Sequence, residues 1–104
     1  MNNYICNLDV KVKSTTSGRE TIGYFKARKE IELPFIPFIG LVLDSSDIDS
    51  PVFPIQYIEY DLVTKKFFCV IRSMSFNWDT MKVNEIRGKM VRTKWEIYES
   101  EGVG

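Results

Sequence analysis

The sequence predicts an α+β fold that is mostly β: a strongly bent antiparallel sheet or small SH3-like barrel of about five or six strands. One helix near the carboxyl terminus (about 80–92) and a short final strand (95–98) complete it. Three observations predict this fold. Apolar and polar residues alternate over several segments, turn-forming clusters separate those segments, and a helical period is found only near residues 80–94.

The length and composition indicate one globular domain. The chain has 104 residues, of which 44% are hydrophobic and 13% aromatic, enough for one core but too few residues for two. We expect the domain to span residues 1–98. Residues 99–104 offer nothing to bury and are expected to fray.

The first two strands are predicted to form a hairpin. Apolar residues occupy alternate positions from Tyr4 to Val12, and alternation resumes from Thr21 to Leu33 after the polar cluster Ser14–Gly18. Lys29 falls on the apolar side of the second strand. An inward charge of this kind predicts a strand edge or a bulge.

A proline-interrupted apolar segment follows. Pro34 and Pro37 each lack an amide donor, which excludes a central strand. The segment either plugs one end of the fold or forms an exposed apolar patch, and such patches mark interfaces. Beyond it, 41–43 is predicted to be a short buried strand and 44–54 an exposed loop. The large apolar residues of the segment are Phe35, Ile36, Phe38 and Ile39.

A second hairpin is predicted from Ile55–Leu62 and Phe67–Arg72, since the polar connection 63–66 has a length common in hairpins. The next stretch is ambiguous. Val83, Ile86 and Met90 share one helical face, and Asp79 stands where a helix N-cap would be. Gly88 opposes a helix and instead allows a hairpin that turns at 87–88. We favour the helix.

The charges are balanced overall but unevenly distributed. Fourteen basic and fourteen acidic residues cancel, so bulk charge favours neither nucleic acid nor an anionic membrane as a partner. Residues 30–61 carry seven acidic and no basic side chains, whereas residues 62–94 carry eight basic and two acidic ones. We expect sheet pairing to bring opposite blocks together.

Few residues point to chemistry. The chain has no histidine, which removes the commonest general base and metal ligand. Two separated cysteines make no zinc site and are expected to be packed thiols. A loop contains three aspartates without the spacing of a calcium-binding loop, and no nucleotide motif is found. We expect no catalytic residue, no cofactor and no metal. The aspartates are Asp44, Asp47 and Asp49.

The leading functional hypothesis is therefore a non-enzymatic binding or accessory module that acts through protein contacts or self-association, with a homodimer expected. Its interface is assigned to Phe35, Ile36, Phe38 and Ile39. A second hypothesis is a nucleic-acid-binding β-barrel, because aromatic and basic residues alternate on one strand and basic residues recur downstream. The residues assigned to that contact are Tyr24, Lys26, Arg28, Lys89 and Arg92.

A third hypothesis is a small-ligand carrier or an enzyme that uses Glu59, Asp61 or a tyrosine in the mouth of the barrel. The carboxylate pair would require a cleft that raises the pKa of one carboxyl group. The amino terminus lacks the pattern of a signal peptide, and no apolar run approaches the ~20 residues that span a bilayer. A cytoplasmic location without a membrane partner is expected, in keeping with cysteines that read as reduced.

Overall fold

In the computed structural model, which describes residues 3–43 and 54–103, a mixed sheet of six strands carries one helix on one face. This confirms the predicted α+β class that is mostly β. The elements are β1 (Tyr4–Thr15), β2 (Thr21–Leu33), β3 (Ile55–Asp61), β4 (Lys66–Ile71), β5 (Met74–Asn77), α1 (Thr80–Arg92) and β6 (Glu96–Glu101).

The sheet is open, so the barrel alternative is wrong. Its strands lie in the order β3-β4-β1-β2-β6, and β5 pairs with β1 beyond the end of β4. The β1–β2, β2–β6 and β3–β4 pairs are antiparallel, whereas β4 and β5 run parallel to β1. A purely antiparallel sheet was therefore also wrong. The long connection between β2 and β3 allows the second hairpin to return beside β1 in the parallel sense.

The first hairpin is confirmed and gives the molecule its longest pair of strands. Val12 lies opposite Phe25 and Leu8 opposite Lys29, so both strands place alternate residues on one face. Lys29 is inside β2, just beyond the last residue paired with β6. Its ammonium donates to the carbonyl of Thr93 at 2.8 Å. The inward charge thus meets the negative carboxyl end of the helix. Lys29 also lies in the part of β2 that does not pair with β6.

The second hairpin is also confirmed, with Asp61 paired to Lys66 across the turn. Two details around it differ from the prediction. Residues 41–43 form no strand; instead Gly40 and Leu41 exchange backbone hydrogen bonds with Ile55 at 2.8 and 3.0 Å. The short strand β5 was missed, because its four residues are too few for a periodic pattern to be recognised.

The helix has the predicted start. The Asp79 side chain accepts a hydrogen bond from the amide of Lys82 at 2.8 Å, as an N-cap residue does. Val83, Ile86 and Met90 are buried against the sheet, so the hairpin alternative is wrong. The helix continues through Gly88, since the packing of its apolar face outweighs the poor helix propensity of one glycine.

The final strand is longer than predicted. It begins at Glu96 and continues to Glu101, paired with Tyr24–Arg28 of β2. The stretch expected to fray from residue 99 therefore begins inside a paired strand. Glu99 accepts a hydrogen bond from Tyr24 at 2.8 Å and pairs with Lys26 at 3.3 Å, and Val103 is partly buried against the core.

One face of the sheet packs against the core, and the other, which we call the open face, is not covered by the helix. The helix packs on the core face, and Trp95 and the partly buried Leu41 and Leu43 extend this cover. The open face of β1 carries half-buried polar residues, among them Asp9 and Lys13. Over the described residues, the helix is too short and too polar to cross a membrane.

Candidate functional site

The apolar segment after β2 starts at the end of the molecule where β1 begins and reaches Ile55 at the start of β3. Tyr4 pairs with Leu33, so the chain leaves β2 beside the start of β1. All four of the large apolar residues assigned to the interface are 43% to 66% exposed: Phe35, Ile36, Phe38 and Ile39. The structure therefore brings the four together on the surface, and the alternative in which they plug the end of a barrel does not apply.

The backbone of this exposed segment is fixed by contacts with the rest of the protein. Pro37 is buried and fixes its centre, and the rings of Phe35 and Phe38 lie 6.4 Å apart. At its carboxyl end Gly40 takes a φ of +92°, which glycine adopts without strain, and its amide bonds to Ile55. The apolar side chains are thus presented from a backbone that is anchored at both ends.

A groove of about 440 Å³ adjoins the segment. Phe67 lies at its centre, with ring centroids 6.2 Å from Tyr4 and 4.7 Å from Tyr60. Ile36 forms one wall and Lys65 supplies a cation at the rim. The groove is thus lined mainly by aromatic and aliphatic side chains, with a few polar groups at its border, as ligand and peptide grooves commonly are.

Two further residues of this end were missed by the sequence analysis. Leu62 and Val63, at the tip of the second hairpin, are 81% and 90% exposed. Because β4 runs parallel to β1 from Phe67 opposite Cys6, this tip lies at the same end as the start of the proline segment. The available signal was a pair of apolar residues where hairpin turns are usually polar. We call Phe35, Ile36, Phe38, Ile39, Leu62 and Val63, with the groove, the apolar end.

The residues assigned to nucleic-acid contact do not form one surface. Tyr24, Lys26 and Arg28 alternate with the buried Phe25 and Ala27 and therefore lie on the open face of the sheet, opposite the helix. The other two, Lys89 and Arg92, are in the last turn of α1, on the far side of the sheet.

The three on the open face are also engaged with neighbours. Tyr24 and Lys26 both bind Glu99, and the guanidinium of Arg28 lies 3.9 Å from the centre of the Tyr98 ring. Tyr98 in turn donates to both carboxylate oxygens of Asp9 at 2.8 Å. Burial, followed by this hydrogen bond, raises the pKa of Tyr98 to about 12.

The carboxylate pair on β3 lacks the features of an acid and a base. Asp61 accepts hydrogen bonds from the amides of Val63 and Thr64 at 2.8 and 3.3 Å. These bonds lower the pKa of its carboxyl group, whereas a general acid needs a raised one. Glu59 accepts a hydrogen bond from the hydroxyl of Tyr57. Asp61 therefore holds the hairpin turn, and Glu59 is engaged within its own strand.

Cys6 and Cys69 are both free and fully buried. Burial, and to a smaller extent the neighbouring thiol of Cys69, raises the pKa of Cys6 to about 12, so little reactive thiolate forms at neutral pH. Within residues 3–43 and 54–103, no group of three His, Cys, Asp or Glu residues is placed to hold a metal ion. Asp44, Asp47 and Asp49 are outside the described residues.

Comparison with known proteins adds no relative: no family model matches the chain, and neither the curated proteins nor the solved structures give a significant match.

Proposed function

We propose that this protein is a non-enzymatic interaction module that self-associates as a homodimer through the apolar end. The observation that carries the proposal is a set of six large apolar side chains, all more than 40% exposed, on the proline segment and on the hairpin tip, with Ile36 lining an aromatic groove. Leaving apolar surface in water costs about 25 cal/mol for each Å². Contiguous patches of this kind are uncommon on monomers unless they bind something.

A second copy of the chain fits this end because it offers a projection and a recess side by side. Phe35 and Phe38 project beside the groove formed by Tyr4, Tyr60 and Phe67. A twofold axis between two such ends would insert the phenylalanines of each copy into the groove of the other. Interfaces of this isologous type require one self-complementary patch and are the commonest in homodimers.

The anchored backbone favours affinity. Pro34 and Pro37 restrict φ in the segment, and Pro37 is buried, so little conformational freedom remains to be lost on association. Aromatic residues are enriched at the centres of protein interfaces for a related reason, because they bury much surface with few rotatable bonds. The groove contains three such aromatic residues, Tyr4, Tyr60 and Phe67.

The test is native mass spectrometry together with light scattering over a range of concentrations. The wild-type protein should give a species of twice the 12.1 kDa chain mass. Phe35→Ser combined with Phe38→Ser should shift the equilibrium to monomer, with the dissociation constant raised at least ~30-fold, as expected for the loss of ~2 kcal/mol at an interface centre. Circular dichroism should show the variant to be folded.

The matched control is Met81→Ser with Val91→Ser, which removes two exposed apolar side chains from the helix, away from the apolar end. These changes should leave the dimer intact. A wild-type protein that is monomeric at every concentration would contradict self-association. A dimer that is weakened equally by both pairs of substitutions would show that the interface lies elsewhere.

A further inference from the structure

A second pocket lies at the opposite end of β1. This cleft, of about 440 Å³, is lined by Lys13 and Thr15 of β1, Ser75 and Asn77 of β5, and Arg19 from the turn between β1 and β2. Lys13 lies opposite Ser75, and Thr15 opposite Asn77, in the parallel pairing of the two strands. The four strand residues therefore form one row of polar side chains on the open face.

The cleft is cationic, and its cationic side chains have no partner among the described residues. Within the described chain, the side chains of Lys13 and Arg19 take part in no salt bridge or hydrogen bond. Among the residues that the structure describes, no carboxylate lines the cleft. The neighbouring acids are Glu20, next to Arg19 in sequence, and Glu101, which pairs with Tyr24 on the other side of β2. An ammonium, a guanidinium, two hydroxyls and an amide converge here without an internal anion.

An exposed indole follows the cleft residue Asn77 in the chain. Trp78 directly follows Asn77, its amide donates to the carbonyl of Thr15 at 2.8 Å, and its side chain is 63% exposed. An exposed tryptophan offers a flat surface on which a base can stack. The other tryptophan, Trp95, is buried in the core. The two indoles are therefore distinguishable in solution.

We propose that this cleft binds the phosphate group of a nucleotide, either free or within single-stranded nucleic acid, and that Trp78 contacts its base. Lys13 neutralises the phosphate as a point charge, and Arg19 supplies planar paired donors. Thr15, Ser75 and Asn77 complete the donor set around the phosphate oxygens. The cleft is separate from the groove of the apolar end, since Lys13 is nine residues, or about 30 Å, along β1 from Tyr4.

This assignment differs from the sequence-based one in every residue. The earlier set was chosen where aromatic and basic residues alternate, but its members on the open face bind Glu99 and Tyr98. In the cleft the cations have no such partners, and one of them comes from a turn rather than a strand. The parallel pairing of β1 with β5 brings the four strand residues together, and the turn after β1 adds Arg19.

The experiment is a titration with inorganic phosphate, AMP and an oligothymidylate at low salt, followed by amide NMR shifts and tryptophan fluorescence. Lys13→Gln with Arg19→Gly removes both cations. Arg19 has a φ of +67°, which glycine adopts readily, so this variant should fold. Lys82→Gln with Arg92→Gln removes two cations from the helix and is the matched control.

AMP or the oligonucleotide should shift the amides of the cleft residues and quench the exposed indole. The cleft variant should bind at least tenfold more weakly, the helix variant should match the wild type, and added salt should weaken binding. Shifts with phosphate but none with AMP would overturn the nucleotide assignment. Equal losses in both variants, or an absence of shifts at the cleft with every probe, would overturn the site. Preference for AMP or for the oligonucleotide distinguishes a free nucleotide from single-stranded nucleic acid.

Discussion

The two faces of the sheet use alternate residues of the same strands, yet different interactions hold them. On the covered face, Leu8, Val10 and Val12 are buried with the helix residues and need no particular partner beyond a close fit. On the open face, Asp9 is paired with one specific hydroxyl, that of Tyr98. Apolar packing should therefore supply most of the free energy of unfolding, while the polar pairs fix which residues lie opposite one another.

The largest effect is expected on the covered face. Met90 is 1% exposed between the helix and the sheet. Replacing it with alanine leaves a cavity, so Met90→Ala should lower the free energy of unfolding by ~2–5 kcal/mol, measured by urea denaturation. Val91→Ala, at the neighbouring exposed position, should change it by less than ~0.5 kcal/mol. Similar losses in the two variants would contradict the contrast between the buried and exposed sides of the helix.

A smaller effect is expected on the open face. Tyr98→Phe removes the hydroxyl that binds Asp9 and leaves a half-buried carboxylate without its donor. We expect a loss of ~1–2 kcal/mol in the free energy of unfolding. Tyr24→Phe, which removes a hydroxyl from a more exposed pair, is the control and should have less effect. Equal effects would show that burial does not strengthen the Tyr98 hydrogen bond.

The same variant gives a pH dependence with a definite sign. The pKa of Tyr98 is about 12 in the folded protein, compared with about 10 for an unfolded chain. The folded state therefore holds this proton more tightly, and its stabilisation is fully present below pH ~10 and lost between pH ~10 and ~12. The difference in unfolding free energy between wild type and Tyr98→Phe should shrink over that interval. A constant difference would place the pKa of Tyr98 near its usual value.

The smallest effect is a gain. A methyl group at Gly88 would meet only the guanidinium of Arg92, at the ordinary contact distance of 3.5 Å. Since glycine is a poor helix former and its φ here is not left-handed, Gly88→Ala should raise the free energy of unfolding by ~1 kcal/mol. Thermal denaturation would detect this as a higher midpoint. A lower midpoint would mean that the glycine is needed for packing.

The difference between the faces also explains how well each was predicted. The residues of the covered face follow a period of two in β1 and a period near 3.6 in α1, so Val83, Ile86 and Met90 were identified from sequence. The hydrogen-bond and salt-bridge partners on the open face were not identified from sequence. A lysine or a tyrosine on a strand has the same local pattern whether or not a glutamate lies beside it. Glu99 was expected in a frayed tail and instead binds Tyr24 and Lys26.

The two candidate sites also differ in how far each could be predicted from the sequence. The apolar end was anticipated in part, because prolines among large apolar residues cannot form a central strand and are hard to bury. Leu62 and Val63 were missed, since nothing local relates a hairpin tip to a segment more than twenty residues earlier. The cationic cleft was missed entirely, because Ser75 reaches Lys13 and Thr15 only through the pairing of β1 with β5.

The sequence by itself determined the class of fold, both hairpins, the helix with its Asp79 cap and the apolar residues of the core. Periodicity, turn formers and capping residues act over a few neighbouring positions and can be read along the chain. Only the tertiary structure decided that β4 and β5 lie parallel to β1, that the sheet stays open and that β6 reaches Glu101. These features depend on contacts between residues far apart in the chain. A local sequence pattern does not indicate the free energies of such contacts.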